Sequence, residues 1–336
     1  MGCLSGAGGR FAGRNGINSV NSDMIKKQIY GNTLKEQLLA SARDRMIRFS
    51  MSDGTVRGVV LNGTRLVNEM RTNHELGILE TLVLGRAYLG ALLMASQLKG
   101  GDRLQLQIDC SGPIKGLLVE ANAFGEVRGY LKQVPIPVET PLDSFDLAPF
   151  FGAGFLSVTH FLENAKQPFT GQVVLEYGNL AKDLANYHLI SEQIPSAFNL
   201  SIQYDRQGVV VGAGGLLIQA MPGVDDAVID GLEDKVRHFP PLGQAFREHR
   251  EVEKIVTDAF ESYSPRILAN RRVEFLCHCN KARVRNILAM LPIEELEDIL
   301  ENGPFPLESL CHHCNTTYHF DRQEIQQIYG FRYPKN

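Results

Sequence analysis

Four cysteines near the C-terminus constrain this chain more than any other feature. Cys277 and Cys279 form a C-x-C pair, and after a spacer of 31 residues Cys311 and Cys314 form a C-x-x-C pair. Two close-spaced pairs of soft thiolates supply the four ligands of a tetrahedral zinc site. The single residue between Cys277 and Cys279 keeps their sulfurs close and leaves little room for the turn that usually wraps a metal. On oxidation such a pair closes only a small, bent ring, and strained disulfides are the labile, regulatory kind. On chemistry alone the set reads about equally as a permanent structural staple and as a redox-capable centre.

The rest of the composition is that of a folded globular protein. Of 336 residues, 44% are hydrophobic and 21% charged, and the net charge of -4 argues against a dedicated nucleic-acid binder. The most apolar stretch, Leu82 to Leu98, is interrupted by Arg86 and reads as a buried helix rather than a membrane span. The two remaining cysteines, Cys3 and Cys110, lie far apart. One clustered set with two scattered thiols fits a reducing, cytoplasmic compartment better than a disulfide scaffold. Residues 1–40 read as an extension: the first 22 carry Arg10 and Arg14, no acidic residue and many Gly, Ser and Asn. That composition suits a disordered tail, and a targeting peptide stays open as the alternative.

The pattern predicts an α+β protein. A core domain over 41–223, with a mixed or antiparallel sheet and helices, opens on a hairpin with an Asp53-Gly54 turn. A helix from about His74 to Leu98 follows, then strands at Leu104–Cys110, Gly116–Ala121 and Glu126–Leu131. Later come a strand at Gly171–Tyr177, a helix from Leu180 to Ser191, and strands at Phe198–Tyr204 and Gly208–Val211. The glycine-rich Gly212-Ala213-Gly214-Gly215 lacks the spacing and lysine of a phosphate cradle and is expected to be a tight turn. Residues 224–270 form a linker of two amphipathic helices divided at Pro240-Pro241, with Val252, Ile255, Val256 and Phe260 on one face. Helices this short depend on docking. The cysteine module occupies 271–336, its spacer holding helices Lys281–Leu291 and, after Pro292, Ile293–Glu301.

Several stretches, taken in order, resemble the thirty-three-kilodalton heat-shock protein family of redox-regulated bacterial holdases. They include Asp53-Gly54-Thr55-Val56-Arg57-Gly58, Leu84-Gly85-Arg86-Ala87 and Gly112-Pro113-Ile114-Lys115-Gly116. Gly125-Glu126-Val127-Arg128-Gly129-Tyr130 and Tyr187-His188-Leu189-Ile190-Ser191-Glu192-Gln193-Ile194-Pro195-Ser196 continue the series, before Gly214-Gly215-Leu216-Leu217-Ile218-Gln219. Phe275-Leu276-Cys277-His278-Cys279-Asn280 and Cys311-His312-His313-Cys314-Asn315-Thr316-Thr317-Tyr318 complete it. The resemblance covers about residues 43–331.

It implies an ATP-independent chaperone of the oxidative-stress response that binds unfolding client proteins and prevents their aggregation. Cys277, Cys279, Cys311 and Cys314 would hold Zn²⁺ when reduced. Oxidation would convert thiolates to sulfenic acids and then disulfides, release zinc and free the linker. Four cysteines permit three pairings, and the resemblance implies Cys277–Cys279 with Cys311–Cys314. It also implies a homodimer as the oxidised, active form; the charge balance and the lack of a long apolar stretch add the expectation of no nucleic-acid or membrane partner.

Other polar residues weigh less. Arg86, Lys99, Arg128, Glu192 and Gln193 are expected in polar networks of the core, because no Ser-His-Asp order, H-E-x-x-H or P-loop accompanies them. His160 and His188 read as ordinary, whereas His278, His312 and His313 sit beside the cysteines as rival ligands. The alternative from another class is a zinc-dependent oxidoreductase using the cysteines catalytically. It would need an open coordination position, which four thiolates fill.

Overall fold

The hairpin at Asp53-Gly54 opens the fold, joining β1 (Arg45–Met51) to β2 (Val56–Asn62). Asp53 and Gly54 both take positive φ, 53° and 90°, a conformation that suits a tight reversal and a glycine. This computed structural model describes residues 24–27, 29, 44–138 and 146–332. Most of the extension expected over 1–40, Cys3 included, lies outside them.

Two sheets form the body. The first runs β10-β1-β2-β9-β8, all antiparallel, with β8 (Ser196–Tyr204), β9 (Val210–Ala220) and β10 (Arg266–Arg272). The second runs β11-β5-β4-β3-β6-β7. Its members are β3 (Arg103–Cys110), β4 (Gly116–Asn122), β5 (Glu126–Leu131), β6 (Gly154–Phe161), β7 (Phe169–Val174) and the two-residue β11 (Glu274–Phe275). β11 lies parallel to β5 in an otherwise antiparallel sheet.

The expected helix at His74–Leu98 is α2 (Ile78–Ala95), and a helix that was not expected, α1 (Thr64–His74), precedes it, the two separated where Glu75 turns left-handed at φ 56°. α1 owes its start to a distant residue. The buried Asp44 carboxylate accepts the Arg65 and Leu66 amides at 3.1 and 2.7 Å, groups a helix start leaves without partners. α2 is apolar all round and long enough to cross a bilayer, yet Leu84, Tyr88 and Leu92 are fully buried in the main core. A helix hydrophobic on every side belongs to the interior of a fold such as this.

Gly212–Gly215 is not a turn but the middle of β9. A Cβ on Gly212 would lie 1.9 Å from the Gly243 carbonyl oxygen, and one on Gly214 would lie 2.2 Å from the Phe246 ring. The glycines let a helix lie directly on the strand. That helix is α6 (Leu242–Arg247), preceded by α4 (Leu180–Tyr187; a four-residue α3 spans Ala148–Phe151) and α5 (Asp226–Arg237), and followed by α7 (Val252–Phe260).

The stretch expected to hold two amphipathic helices thus holds three. A break beyond Pro240-Pro241 occurs where His249 takes φ 59°. Their apolar faces make a second core with one face of the first sheet. Leu232, Phe239, Leu242, Phe246, Ile255 and Phe260 pack with Ile47, Phe49, Met51, Val60 and Ile218. Phe260 stacks on Phe239 at 5.8 Å and tilts over Phe49 at 5.5 Å.

The C-terminal module comprises α8 (Lys281–Leu288), α9 (Ile293–Asn302), the hairpin β12 (Leu307–Cys311) and β13 (Thr316–Phe320), and α10 (Arg322–Arg332). Its small core is Val284, Leu296, Tyr318, Phe320, Ile325 and Ile328. A core of this size gives limited stability alone, and segments of this kind rely on a metal or other staple.

Candidate metal centre

Two local structures aim the cysteines at one point. After β11, the Leu276 amide still bonds the Val127 carbonyl at 3.1 Å, so Cys277-His278-Cys279 leaves directly from the sheet edge. Asn280 then caps α8, its side chain accepting the Arg283 amide at 2.9 Å. The second pair brackets the β12–β13 turn, where the Cys311 carbonyl accepts the amides of Cys314 at 3.2 Å and Asn315 at 2.7 Å. Asn315 supplies the positive φ, 56°, a conformation Asn tolerates.

The four sulfurs lie within 4.8 Å of one another. Cys277 Sγ is 3.8 Å from Cys311 Sγ, and Cys279 Sγ is 3.3 Å from Cys314 Sγ. A regular tetrahedron with zinc–sulfur bonds of about 2.3 Å has sulfur–sulfur edges of about 3.8 Å. Donor type and spacing both fit such an ion. Both of these contacts run between the two motifs and tie the first pair to the second.

No histidine joins the set. His278 Nε2 lies 2.7 Å from Glu126, and the rings of His312 and His313 pack on Tyr130. Around the sulfurs stand donors that the cysteine spacing does not announce. The Tyr318 hydroxyl donates to Cys279 Sγ at 3.1 Å, and Arg128 Nη1 to Cys277 Sγ at 3.5 Å. Arg128 is itself held by Glu120 at 2.6 and 2.9 Å. Burial alone would lower its pKa, but the Glu120 carboxylate and Cys277 outweigh that and raise it. Hydrogen bonds from the other thiols, Cys279 first, hold Cys277 well below the usual thiol range. The same bonding to Cys277 pushes the Cys279 and Cys314 thiols up. Cys311 is lowered too, to about 7, so the set divides into thiols that ionise readily and thiols that hold their protons.

The centre sits in a seam between module and core. Cys277 and Cys314 are buried against the main core. The Cys314 carbonyl accepts from the Asn73 side chain at 3.1 Å, and the Gly129 amide donates to the His313 carbonyl at 3.3 Å.

The remaining polar candidates lie elsewhere. Tyr187 and His160 contact Glu192 at 3.0 and 3.4 Å, and the neighbouring His160 is the main cause that lowers the Glu192 pKa. Gln219 meets His188 at 3.2 Å, where burial pushes the histidine down to about 4. His160, His188, Glu192, Gln219 and Lys99 line a cleft of ≈ 590 Å³ away from the cysteines. Arg86 is largely buried, which lowers its pKa, and Gln193 ends a helical turn with φ 56°.

The family model described as Hsp33 protein matches residues 44–321. The chain belongs to the Hsp33 family. It is 36% identical over 289 residues to the 33 kDa chaperonin of Desulforamulus reducens, covering 85% of this chain and 97% of that protein. Against the 33 kDa chaperonin of a Geobacillus strain it is 32% identical over 295 residues, covering 87% and 99%. The crystal structure of the 33 kDa chaperonin (heat shock protein 33 homolog) from Thermotoga maritima superposes with a TM-score of 0.78 at 32% identity, covering 86% of this chain and 99% of that one. The α+β class expected from the sequence agrees with that Hsp33 structure.

Proposed function

We propose that this chain is an ATP-independent holdase, switched on by thiol oxidation, that binds unfolding proteins under oxidative stress. The chaperone role follows the Hsp33 family. The observation that carries the switch is the convergence of Cys277, Cys279, Cys311 and Cys314 within 4.8 Å at the seam between module and core. Reduced, these residues would hold one Zn²⁺ as thiolates. Bound there, the ion supplies the cross-link that a module with so small a core needs.

A thiolate attacks peroxide, the O–O bond breaks, and a sulfenic acid and hydroxide result. A second thiol displaces the sulfenic oxygen as water and closes the disulfide. Each disulfide uses one peroxide and two thiols, and two disulfides leave no thiolate for a metal. The pairing Cys277–Cys279 with Cys311–Cys314 belongs to this reading.

The working partition is a core over 41–223, a linker over 224–270 and a redox module over 271–336. Loss of the module would loosen β10, which ends at Arg272 five residues before Cys277, and with it the helices α5–α7. The sheet face of Ile47, Phe49, Met51, Val60 and Ile218 would then offer apolar surface to a client. A homodimer is the active assembly in this reading, and a reducing cytoplasm is the compartment that keeps the thiols poised. Four thiols fill a tetrahedron, so we read the protein as a non-enzyme.

Light scattering by a chemically denatured client tests the proposal. Peroxide-treated protein should suppress aggregation and reduced, zinc-loaded protein should not. Equal suppression by both would remove the switch.

A further inference from the structure

Met24–Lys27 precedes the stretch matched by the family model, 44–321, and lies in the seam between α1 and the cysteine module. It touches both sides. Toward the module, Met24 Sδ accepts the Cys277 amide at 3.0 Å, and the Lys26 ammonium sits 5.9 Å over the Phe275 ring. Toward α1, Lys26 pairs with the buried Glu69 at 3.0 Å, and Lys27 pairs with Glu75 at the helix end.

Asn73 joins the two sets of contacts. Its side chain accepts the Lys27 amide at 3.0 Å and donates to the Ile25 carbonyl at 2.9 Å and the Cys314 carbonyl at 3.1 Å. Asn73 is 2% exposed, and these bonds use its oxygen and both amide hydrogens. One buried amide thus fastens the N-terminal segment and the second cysteine pair at the same place. A buried polar group satisfied this way is costly to separate from its partners.

We propose that Met24–Lys27 is a strap that holds the cysteine module on the core and slows its release on oxidation. This rests on the redox reading above and adds to it an intramolecular brake outside the matched family stretch. Cys277 is 2% exposed and Cys314 0%, so each proposed disulfide takes in a sulfur that the closed seam covers. Opening the seam must also break the strap's contacts. Local openings of this kind set hydrogen-exchange rates.

The test uses the full chain. Lys26→Met removes the charge beside Glu69 and Phe275 while keeping an apolar stem. Lys27→Glu sets like charges at Glu75, and adding Glu75→Lys to Lys27→Glu restores the pair in reverse. Hydrogen exchange over 274–279 is read in the reduced, zinc-loaded protein, and zinc release by peroxide is followed with a chelating dye.

K26M and K27E together should speed both exchange and release about fivefold, the scale that two partly exposed ion pairs supply. The K27E/E75K swap should reverse the part of that acceleration that K27E causes. Unchanged exchange at 274–279 in K26M/K27E overturns the strap, and so does faster exchange with an unchanged release rate. Exchange is measured without oxidant. A protein that never activates would therefore defeat the redox reading and leave the strap's own result standing.

Discussion

Arg128 crosses from β5 to within 3.5 Å of the Cys277 sulfur while Glu120 grips the other side of its guanidinium. The core domain thereby places a fixed positive charge against a set of four thiols that becomes strongly negative when ionised. Partners of this kind tune metal affinity almost as strongly as the ligands do.

Replacing Arg128 with Gln should weaken zinc binding by about tenfold, while leaving the stoichiometry unchanged. Competition with a chelator of known affinity, under reducing conditions, measures it. Affinity equal to that of the native protein would show that the guanidinium serves only Glu120.

Stripping the metal from reduced protein should unfold the module and spare the first sheet. The module's core is only Val284, Leu296, Tyr318, Phe320, Ile325 and Ile328. Amides over 281–332 should lose protection while those of β2 and β9 keep theirs. Retained protection over 281–332 would mean that these six side chains suffice.

Truncating Phe260 to Ala should loosen the helices that cover the first sheet. The ring is fully buried between Phe239 and Phe49, and removing such a ring costs about 3–5 kcal/mol. Amides over 226–260 should exchange faster, and reduced protein should gain partial aggregation-suppressing activity. Fast exchange without any activity would place client binding on another surface.

Asp44 should impose a pH dependence on stability. Burial pushes its carboxyl up from 3.8 to about 7, against the two amides that favour its charge. Between those values the folded state holds a proton that the unfolded state has lost. Stability therefore falls as pH rises through that window and levels off above about pH 7. Urea midpoints at pH 4.5 and 7.5 should differ less in Asp44→Asn than in the native protein. An identical difference would mean that Asp44 ionises normally in the fold.

The double variant Cys3→Ser and Cys110→Ser should keep full zinc content and oxidative activation. Burial raises the Cys110 thiol pKa, making it a poor nucleophile at neutral pH. Loss of activation would mean that the four-cysteine scheme is incomplete.

Elements set by local pattern were legible in the sequence: the hairpin at Asp53-Gly54, the alternating strands Leu104–Cys110 and Glu126–Leu131, and the helices flanking Pro292. Elements set by distant partners were not. Helix α1 has no capping side chain at its own start and borrows Asp44 from β1's approach. Strand β10 reads as Arg-Ile-Leu-Ala-Asn-Arg-Arg, without apolar alternation, because it is an edge whose structure comes from pairing with β1. The Gly212–Gly215 run suggested a turn because its close neighbours, Gly243 and Phe246, lie some thirty residues ahead. Of the centre, the four cysteines were visible from spacing alone. Arg128, Tyr318 and Asn73 were not, since β11 reaches β5 in a parallel pairing that no local signal encodes.

Between Arg266 and Phe275 the chain changes sheets, with only Val273 between β10 and β11. The two ends of this crossing are unequal: six residues are paired antiparallel along β1, against two laid parallel beside β5. A pull from the cysteine side would unzip the short ladder first and meet the long one only afterwards. On the redox reading proposed above, a disturbance that begins at the cysteines would therefore part β11 from β5 before it reached β10 and the sheet beneath the linker.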